Sequence, residues 1–159
     1  IYSNISLNWL MNAPIKFLKV GNLRFRHQLY MINVYIVLLH LFYSNKRKLN
    51  RAIKKYIQLK DVEVKILQTH KSFQAINFIQ RNRNWADGLI LTPTSWAKYE
   101  WTLVETISLV KLKTVQVIFD EKYSFSISQQ NSIFDSIVTH TEIGRPKKAH
   151  LQAIDFFIK

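Results

Sequence analysis

The chain has 159 residues, 48% of them hydrophobic and 13% aromatic, which is enough for one compact core and too much for wholesale disorder. It has no cysteine, which excludes disulfides, zinc–thiolate sites, iron–sulfur clusters and a cysteine nucleophile while leaving the redox compartment open. With 23 Lys and Arg against 10 Asp and Glu the formal charge is +13, and with only 3 glycines a glycine-rich phosphate loop is excluded.

No charged n-region, apolar run and small-residue cleavage pattern stands at the front, so a retained secretory signal is not expected. Residues 6–11 read as a short strand, closed by the turn Asn12-Ala13-Pro14. The apolar stretch 29–43 is broken by Asn33 and His40 and falls short of the roughly 20 residues that span a membrane. It reads as a buried helix, an interfacial segment or a partner-docking surface, with buried or docking preferred. Residues 46–59 have Leu49, Ile53, Tyr56 and Ile57 at helical spacing, with Lys and Arg on the other face. Residues 62–67 alternate with period 2 and predict a strand. A helical pattern follows over 73–84. The continuous apolar run 88–91, between Asp87 and Thr92-Pro93, predicts a buried parallel strand. Residues 100–110 return to helix and 114–119 to strand. Residues 133–141 supply a last strand around Ile137-Val138, and 147–158 an amphipathic helix with Leu151, Ile154, Phe157 and Ile158 on one side. Alternating strands and helices predict a single α/β domain with a parallel sheet and right-handed crossovers.

The charge is unevenly spread. Residues 1–60 carry 11 bases and no acid, the first carboxylate being Asp61, whereas 61–159 hold 12 bases and 10 acids. Such a field attracts polyanions: nucleic acid, an anionic membrane surface or an acidic partner. The basic positions cluster at Lys46, Arg47, Lys48, Arg51, Lys54, Lys55 and Lys60 on one helix, and at Arg145, Lys147 and Lys148 before the last. Lys16, Lys19, Arg24 and Arg26 form a third group. Each contact of this kind positions a phosphate without reading sequence. Scattered clusters suit structured RNA better than a DNA groove, because no helix-turn-helix or finger signature is present.

Other constellations are weaker. His27, His40, His70, His140 and His150 show no paired metal spacing and predict structural or surface roles. Asp61/Glu63 and Asp120/Glu121 read as strand-edge solubilising charges. There is no nucleophile elbow. Trp96, Tyr99 and Trp101, with Lys98 among them, form an aromatic cluster expected to pack against the neighbouring helix.

The ordered pieces resemble the type II 3-dehydroquinate dehydratases, which have a flavodoxin-like fold. Asp87-Gly88-Leu89-Ile90-Leu91-Thr92-Pro93-Thr94-Ser95-Trp96-Ala97-Lys98 lies without a gap over that family's Asp-Gly-Ile-Ile-Ile-Asn-Pro-Gly-Ala-Tyr-Thr-His. Gln68-Thr69-His70-Lys71-Ser72 lies over the end of its second strand, and Asn12-Ala13-Pro14-Ile15-Lys16-Phe17 over its Asn-Gly-Pro-Asn-Leu-Asn. The resemblance covers about 6–28 and 43–159, with 29–43 as an apolar insertion where the family has its active-site lid. It implies a three-layer sandwich with a five-stranded parallel sheet.

The family's dehydration passes through an enolate and needs a base, a general acid and hydrogen bonds to the oxyanion. On the resemblance, the water-orienting Asn falls on Thr92, a His beside the site on Lys98, and the acid His on Ile118. A distal Arg falls near Phe125 or Gln129, pocket glycines fall on Ala13 and Thr94, and Arg24, Arg26 and Tyr43 are lid candidates. Ile118 has no proton to give. These departures predict a non-catalytic pseudoenzyme, without metal or cofactor. The expectation is a structural subunit of a ribonucleoprotein, a mitochondrial ribosome, with Lys46, Arg47, Lys48, Arg51, Lys54, Lys55, Arg145, Lys147 and Lys148 on rRNA phosphates. Neighbouring proteins of the assembly would dock on 29–43, and a homo-oligomer is a further partner, since the family forms trimers and dodecamers. The alternatives are an accessory subunit of a mitochondrial membrane complex, with the bases facing anionic lipid, and a residual 3-dehydroquinate dehydratase.

Overall fold

Apolar runs alternate along the chain with helical patterns that are apolar on one face only. In the computed structural model these become a sheet between two helical layers. The structure describes residues 32–39, 43–120 and 127–159, which all fall within one compact unit, Met31–Lys159. The strands are β1 (Ile32–Leu39), β2 (Val62–Thr69), β3 (Gly88–Thr92), β4 (Lys113–Phe119) and β5 (His140–Gly144). They form one sheet in the order β2-β1-β3-β4-β5, and every neighbouring pair is parallel. The helices are α1 (Tyr43–Ile57), α2 (Ser72–Asn82), α3 (Trp101–Val110) and α4 (Pro146–Ile158), with short 3-10 helices at Thr94–Lys98 and Gln129–Asn131.

Successive side chains of a strand point to opposite faces, so β3 serves both layers. Leu89 and Leu91 pack with Ala75 and Ile79 of α2 and with Leu103, Val104 and Ile107 of α3. Ile90, with Val34 and Ile36 of β1 and Val115 and Val117 of β4, packs with Leu49 and Ile53 of α1 and with Ala149, Ala153 and Ile154 of α4. Full burial of an aliphatic side chain is worth about 1.5–3 kcal/mol, so these two clusters carry the fold. Gly88 opens β3 because the Phe157 ring of α4 lies where a Cβ would stand. That close approach seats α4 on the strand.

A polar knot joins α4 to the end of α1. The Tyr56 hydroxyl donates to both Asp155 carboxylate oxygens, 2.7 Å from each, and Lys60 Nζ reaches the Tyr56 oxygen at 2.8 Å and Asp155 Oδ1 at 2.5 Å. Hydrogen bonds to Asp155, then to Tyr56, raise the Lys60 pKa. Burial pushes the Asp155 carboxyl up, but the hydrogen bonds from Lys60 and Tyr56 outweigh it and leave its pKa below the usual value.

Most predicted elements fall where the sequence puts them, and the fold is the expected five-stranded parallel α/β sandwich. The apolar stretch 29–43 is corrected. Residues 32–39 are not a helix, a docking segment or an insertion but the strand β1, hydrogen-bonded to β2 on one side and β3 on the other. The run Ile32-Asn33-Val34-Tyr35-Ile36-Val37 is dense in β-branched residues, and a strand paired on both edges has no free edge for a partner. The predicted strand 6–11 lies outside the described residues, as does part of the span 1–159 read as one domain. The last strand is also corrected. Residues 133–137 form a turn whose Phe134 is buried, Ile137 and Val138 pack on the α2–α3 side, and pairing with β4 begins only at His140. Apolar content there marks core contact beneath the sheet rather than a place in it.

Candidate active site

In an open parallel sheet, ligands bind beyond the carboxyl ends of the strands, where the winding reverses. Here the chain runs outward from β1 to β2, returns across to β3 on the other side of β1, and continues to β4 and β5. The crevice therefore opens between the ends of β1 and β3. The described groups at this edge come from Thr69–Lys71 after β2, Thr92–Ser95 after β3, Asp120 after β4 and Arg145 after β5.

The turn out of β2 is built by Thr69. Its hydroxyl donates to Gln74 Oε1 at 2.5 Å and accepts from the Lys71 backbone N–H at 3.0 Å. Buried Thr69 thus leaves His70 and Lys71 at the surface.

The end of β3 is held from α4. Pro146 occupies the first turn of that helix, where its missing N–H costs nothing, and His150 lies one turn on. His150 is fully buried. Its Nδ1 lies 2.5 Å from the Pro146 carbonyl oxygen, which can only accept, so Nδ1 carries the proton. Nε2 then carries the lone pair and accepts the Thr92 hydroxyl proton at 2.9 Å. The Phe119 ring of β4 lies with its centroid 6.0 Å from the imidazole. Burial pulls the His150 pKa down to about 4 against the opposing pull of the Pro146 carbonyl, so the ring is neutral at pH 7.

Two residues beyond Thr92 the backbone is strained. Thr94 has φ of 43°, a left-handed conformation that a β-branched side chain adopts at a cost of about 1–3 kcal/mol. On the resemblance this position holds a glycine in the family, the residue that adopts such a conformation without steric cost. Ser95 follows at the surface, and the Trp96 N–H closes the turn on the Pro93 carbonyl at 3.0 Å.

Asp120 continues the β4 ladder by donating its N–H to the Gly144 carbonyl at 3.1 Å. One carboxylate oxygen lies 4.0 Å from Arg145 Nε. The other, Oδ1, is buried and has no hydrogen-bond partner among the described residues. It is therefore more than the solubilising edge charge expected from sequence. In an extended strand, residues two apart share a face, so Asp120 lies one step closer to the carboxyl edge than Ile118 and on the same face. Ile118 itself is buried in the α2–α3 core and takes no part in proton transfer.

The other predicted positions separate. Arg47, Lys48, Arg51, Lys54 and Lys55 are exposed on α1, whose Leu49 and Ile53 face the core, and Lys46 lies in the same helix. Arg145, Lys147 and Lys148 are exposed at the start of α4. The two groups are the solvated faces of helices packed on one side of the sheet. Lys98 and Gln129 are exposed, and Tyr43 is the first residue of α1. Ala13, Arg24, Arg26 and Phe125 lie outside the described residues, as do Lys16 and Lys19. Of the aromatic cluster only Trp96 is buried; Tyr99 and Trp101 are about 60% exposed, which corrects the expected packing. Sequence reasoning missed His150 as a site residue. Its signal was a histidine at i+4 from Pro146 on the apolar side of the helix.

With this geometry in hand, the chain matches the model of a family described as dehydroquinase class II over residues 42–158. The match begins after β1, so the likeness drawn over 6–28 is no part of it. A 3-dehydroquinate dehydratase of Dictyoglomus turgidum is 23% identical over 107 residues, 67% of this chain and 74% of that protein. One of Thermoanaerobacter pseudethanolicus is 27% identical over 73 residues, 46% of this chain and 49% of that protein. Among solved structures, the type II dehydroquinase of Butyrivibrio crossotus superposes with a TM-score of 0.69 at 18% identity, covering 80% of this chain and 98% of that one. A 3-dehydroquinate dehydratase-like protein of Bifidobacterium longum gives 0.64 at 15%, covering 80% and 95%. At these identities the structures establish the fold. The family match and the curated relatives correct the expectation of a non-catalytic pseudoenzyme, a mitochondrial ribosomal subunit contacting rRNA: they align the chain with an enzyme family and give no support to RNA or a ribosome as partner. The expected docking of neighbouring proteins on 29–43 fails with the assignment of β1. Among the described residues no helix is long and apolar enough to cross a membrane.

Proposed function

This chain belongs to the class II dehydroquinase family, and from that membership we propose that it is a 3-dehydroquinate dehydratase working at the carboxyl edge of its sheet, with Asp120 as proton acceptor. The observation that carries the reading is the family match over 42–158, which takes in β2 to β5 and all four helices.

Dehydration of a β-hydroxy ketone removes a proton from the carbon beside the carbonyl. The electron pair passes into an enolate and then expels the hydroxyl, which leaves as water once it has gained a proton. The step needs an acceptor for the carbon-bound proton, a donor for the hydroxyl and positive charge near the enolate oxygen. For the acceptor this chain offers Asp120, on the same face as Ile118 at the strand end, with Oδ1 uncommitted among the described residues. Lys71 and Arg145 supply cationic groups at the same edge, suited to a substrate that carries a carboxylate, and the Lys71 ammonium can give the leaving hydroxyl its proton.

The test is an assay of the purified full chain with 3-dehydroquinate, following the ultraviolet absorbance of the conjugated enone product. Turnover is expected. Asp120→Asn should lose about 10²–10⁴-fold in kcat, as removal of a proton-transfer group does, whereas Arg47→Ala on α1 should leave kcat unchanged. A folded chain that gives no product above buffer would overturn the reading.

A further inference from the structure

We infer that His150 is a positioning residue of the site: by accepting a hydrogen bond from the Thr92 hydroxyl it ties the end of β3 to α4 and holds Thr94 in its left-handed conformation. Three features meet on one chain segment. Thr94 has positive φ although it is β-branched, and such a conformation persists only where its surroundings over-determine it. The turn 92–96 is held at its far end by the Trp96 N–H on the Pro93 carbonyl and by buried Trp96. At its near end Thr92 closes the β3 ladder opposite Leu38 of β1, and its side chain is tied to His150.

That tie is directional. The Pro146 carbonyl commits Nδ1 as donor, so Nε2 can only accept, and the Thr92 hydroxyl must point its proton at the imidazole. Both side chains are fully buried, so neither is offered to a substrate. They act through Thr94 and Ser95, which continue the backbone toward the surface at the crevice between β1 and β3. A protonated ring would carry N–H groups on both nitrogens and could only donate to the Thr92 oxygen, so the bond would reverse direction around a buried charge. The groups facing His150 are Thr92 from β3, the Phe119 ring from β4 and the Pro146 carbonyl from its own helix, none of them charged. Arg145, Lys147 and Lys148 on that side are exposed, and Asp120 at the end of β4 stands half-buried beside Arg145. The tie in this direction therefore holds from neutral pH downward until the ring is protonated at about 4.

Only the kinetic half of the test rests on the dehydratase reading. The structural half uses isotope-labelled full-length protein without substrate. The one-bond Cα–Hα coupling of Thr94 reports positive φ, and the ring ¹⁵N shifts of His150 report its tautomer. Expected at pH 7 are the positive-φ signature at Thr94 and an Nδ1–H, Nε2-lone-pair ring. Thr92→Ser should keep both. Thr92→Val and His150→Phe should lose the Thr94 signature. A signature unchanged in Thr92→Val and in His150→Phe would overturn the inference, whether or not the chain turns over 3-dehydroquinate. If His150→Phe fails to fold, Thr92→Val decides. With an active wild type, Thr92→Val should raise KM or lower kcat on the order of 10²-fold, as a displaced positioning group does, with rescue by Thr92→Ser. A Thr92→Val protein that is less stable but kinetically normal would reduce the tie to a structural bond and overturn the positioning role.

Discussion

Protonating His150 means placing a charge where solvent does not reach and where both ring nitrogens are already committed to partners. The unfolded chain has no such obstacle, so between its ordinary pKa of 6.5 and about 4 the unfolded state binds the extra proton and the folded state does not. Stability on this account is complete above pH 6.5 and falls as the pH drops toward 4, by about 3 kcal/mol over the interval. Urea titrations at several pH values should show that loss, and His150→Gln should flatten this part of the curve while lowering stability at pH 7. An unchanged midpoint between pH 6.5 and 4 would mean that the ring is more hydrated than its burial indicates. The residue reveals itself only in three dimensions, because a lone histidine at helical spacing has the same sequence pattern whether it packs or reacts. Pro146 fixes its tautomer from one turn away, but the partner of its other nitrogen, a threonine 58 positions away, is set by where β3 lies against α4.

At the scale of single elements, capping separates α2 and α3. Helix α2 ends at Arg83 in ordinary helical geometry, whereas α3 ends at Lys111 with φ of 57° and ψ of 28°, a left-handed cap that glycine adopts without cost. Lys111 is exposed and its N–H closes the cap on the Ile107 carbonyl, so the side chain is not needed there. Lys111→Gly should therefore stabilise the protein by about 1 kcal/mol, read from the denaturation midpoint. A destabilised variant would show that the lysine stem contributes packing that outweighs the strain. Element types were legible wherever one period dominated: the one-faced patterns of α1 and α4 and the continuous run of β3 fall close to their predicted places. β1 was not legible because a strand buried on both faces and paired on both edges has no alternation to read. Its run of mixed apolar residues suits a buried helix equally well.

At the scale of the whole molecule, a formal charge of +13 repels itself, and screening relieves that repulsion. Between about 0.01 M and 0.1 M salt the screening length falls from about 30 Å to about 10 Å. The urea midpoint should rise over that range, and a fall would show that attractive pairs such as Lys60–Asp155 outweigh the repulsion. The same charge shows how a whole-molecule property misleads about function. The acid-free run through 60 is a fact of composition, but its bases on α1 are the wet side of a helix whose other side is core. The carboxyl edge of the sheet, by contrast, announces itself through the position of a few uncharged or singly charged groups, Thr92, Thr94 and Asp120. Of these, sequence marked Thr92 and Thr94 through the family's turn after the third strand, and missed Asp120 because its burial depends on β5.

The order of the chain leaves one demand on synthesis. Helix α4 packs on β1, β3, β4, β5 and α1, yet it follows all of them. A nascent chain that has emerged only through β5 can pair its five strands while Ile36, Ile90, Val115 and Val117 still lack half their cover. Until Ala149, Ala153, Ile154 and Phe157 arrive, that side of the sheet is a sticky intermediate of the kind that chaperones bind and proteases clear.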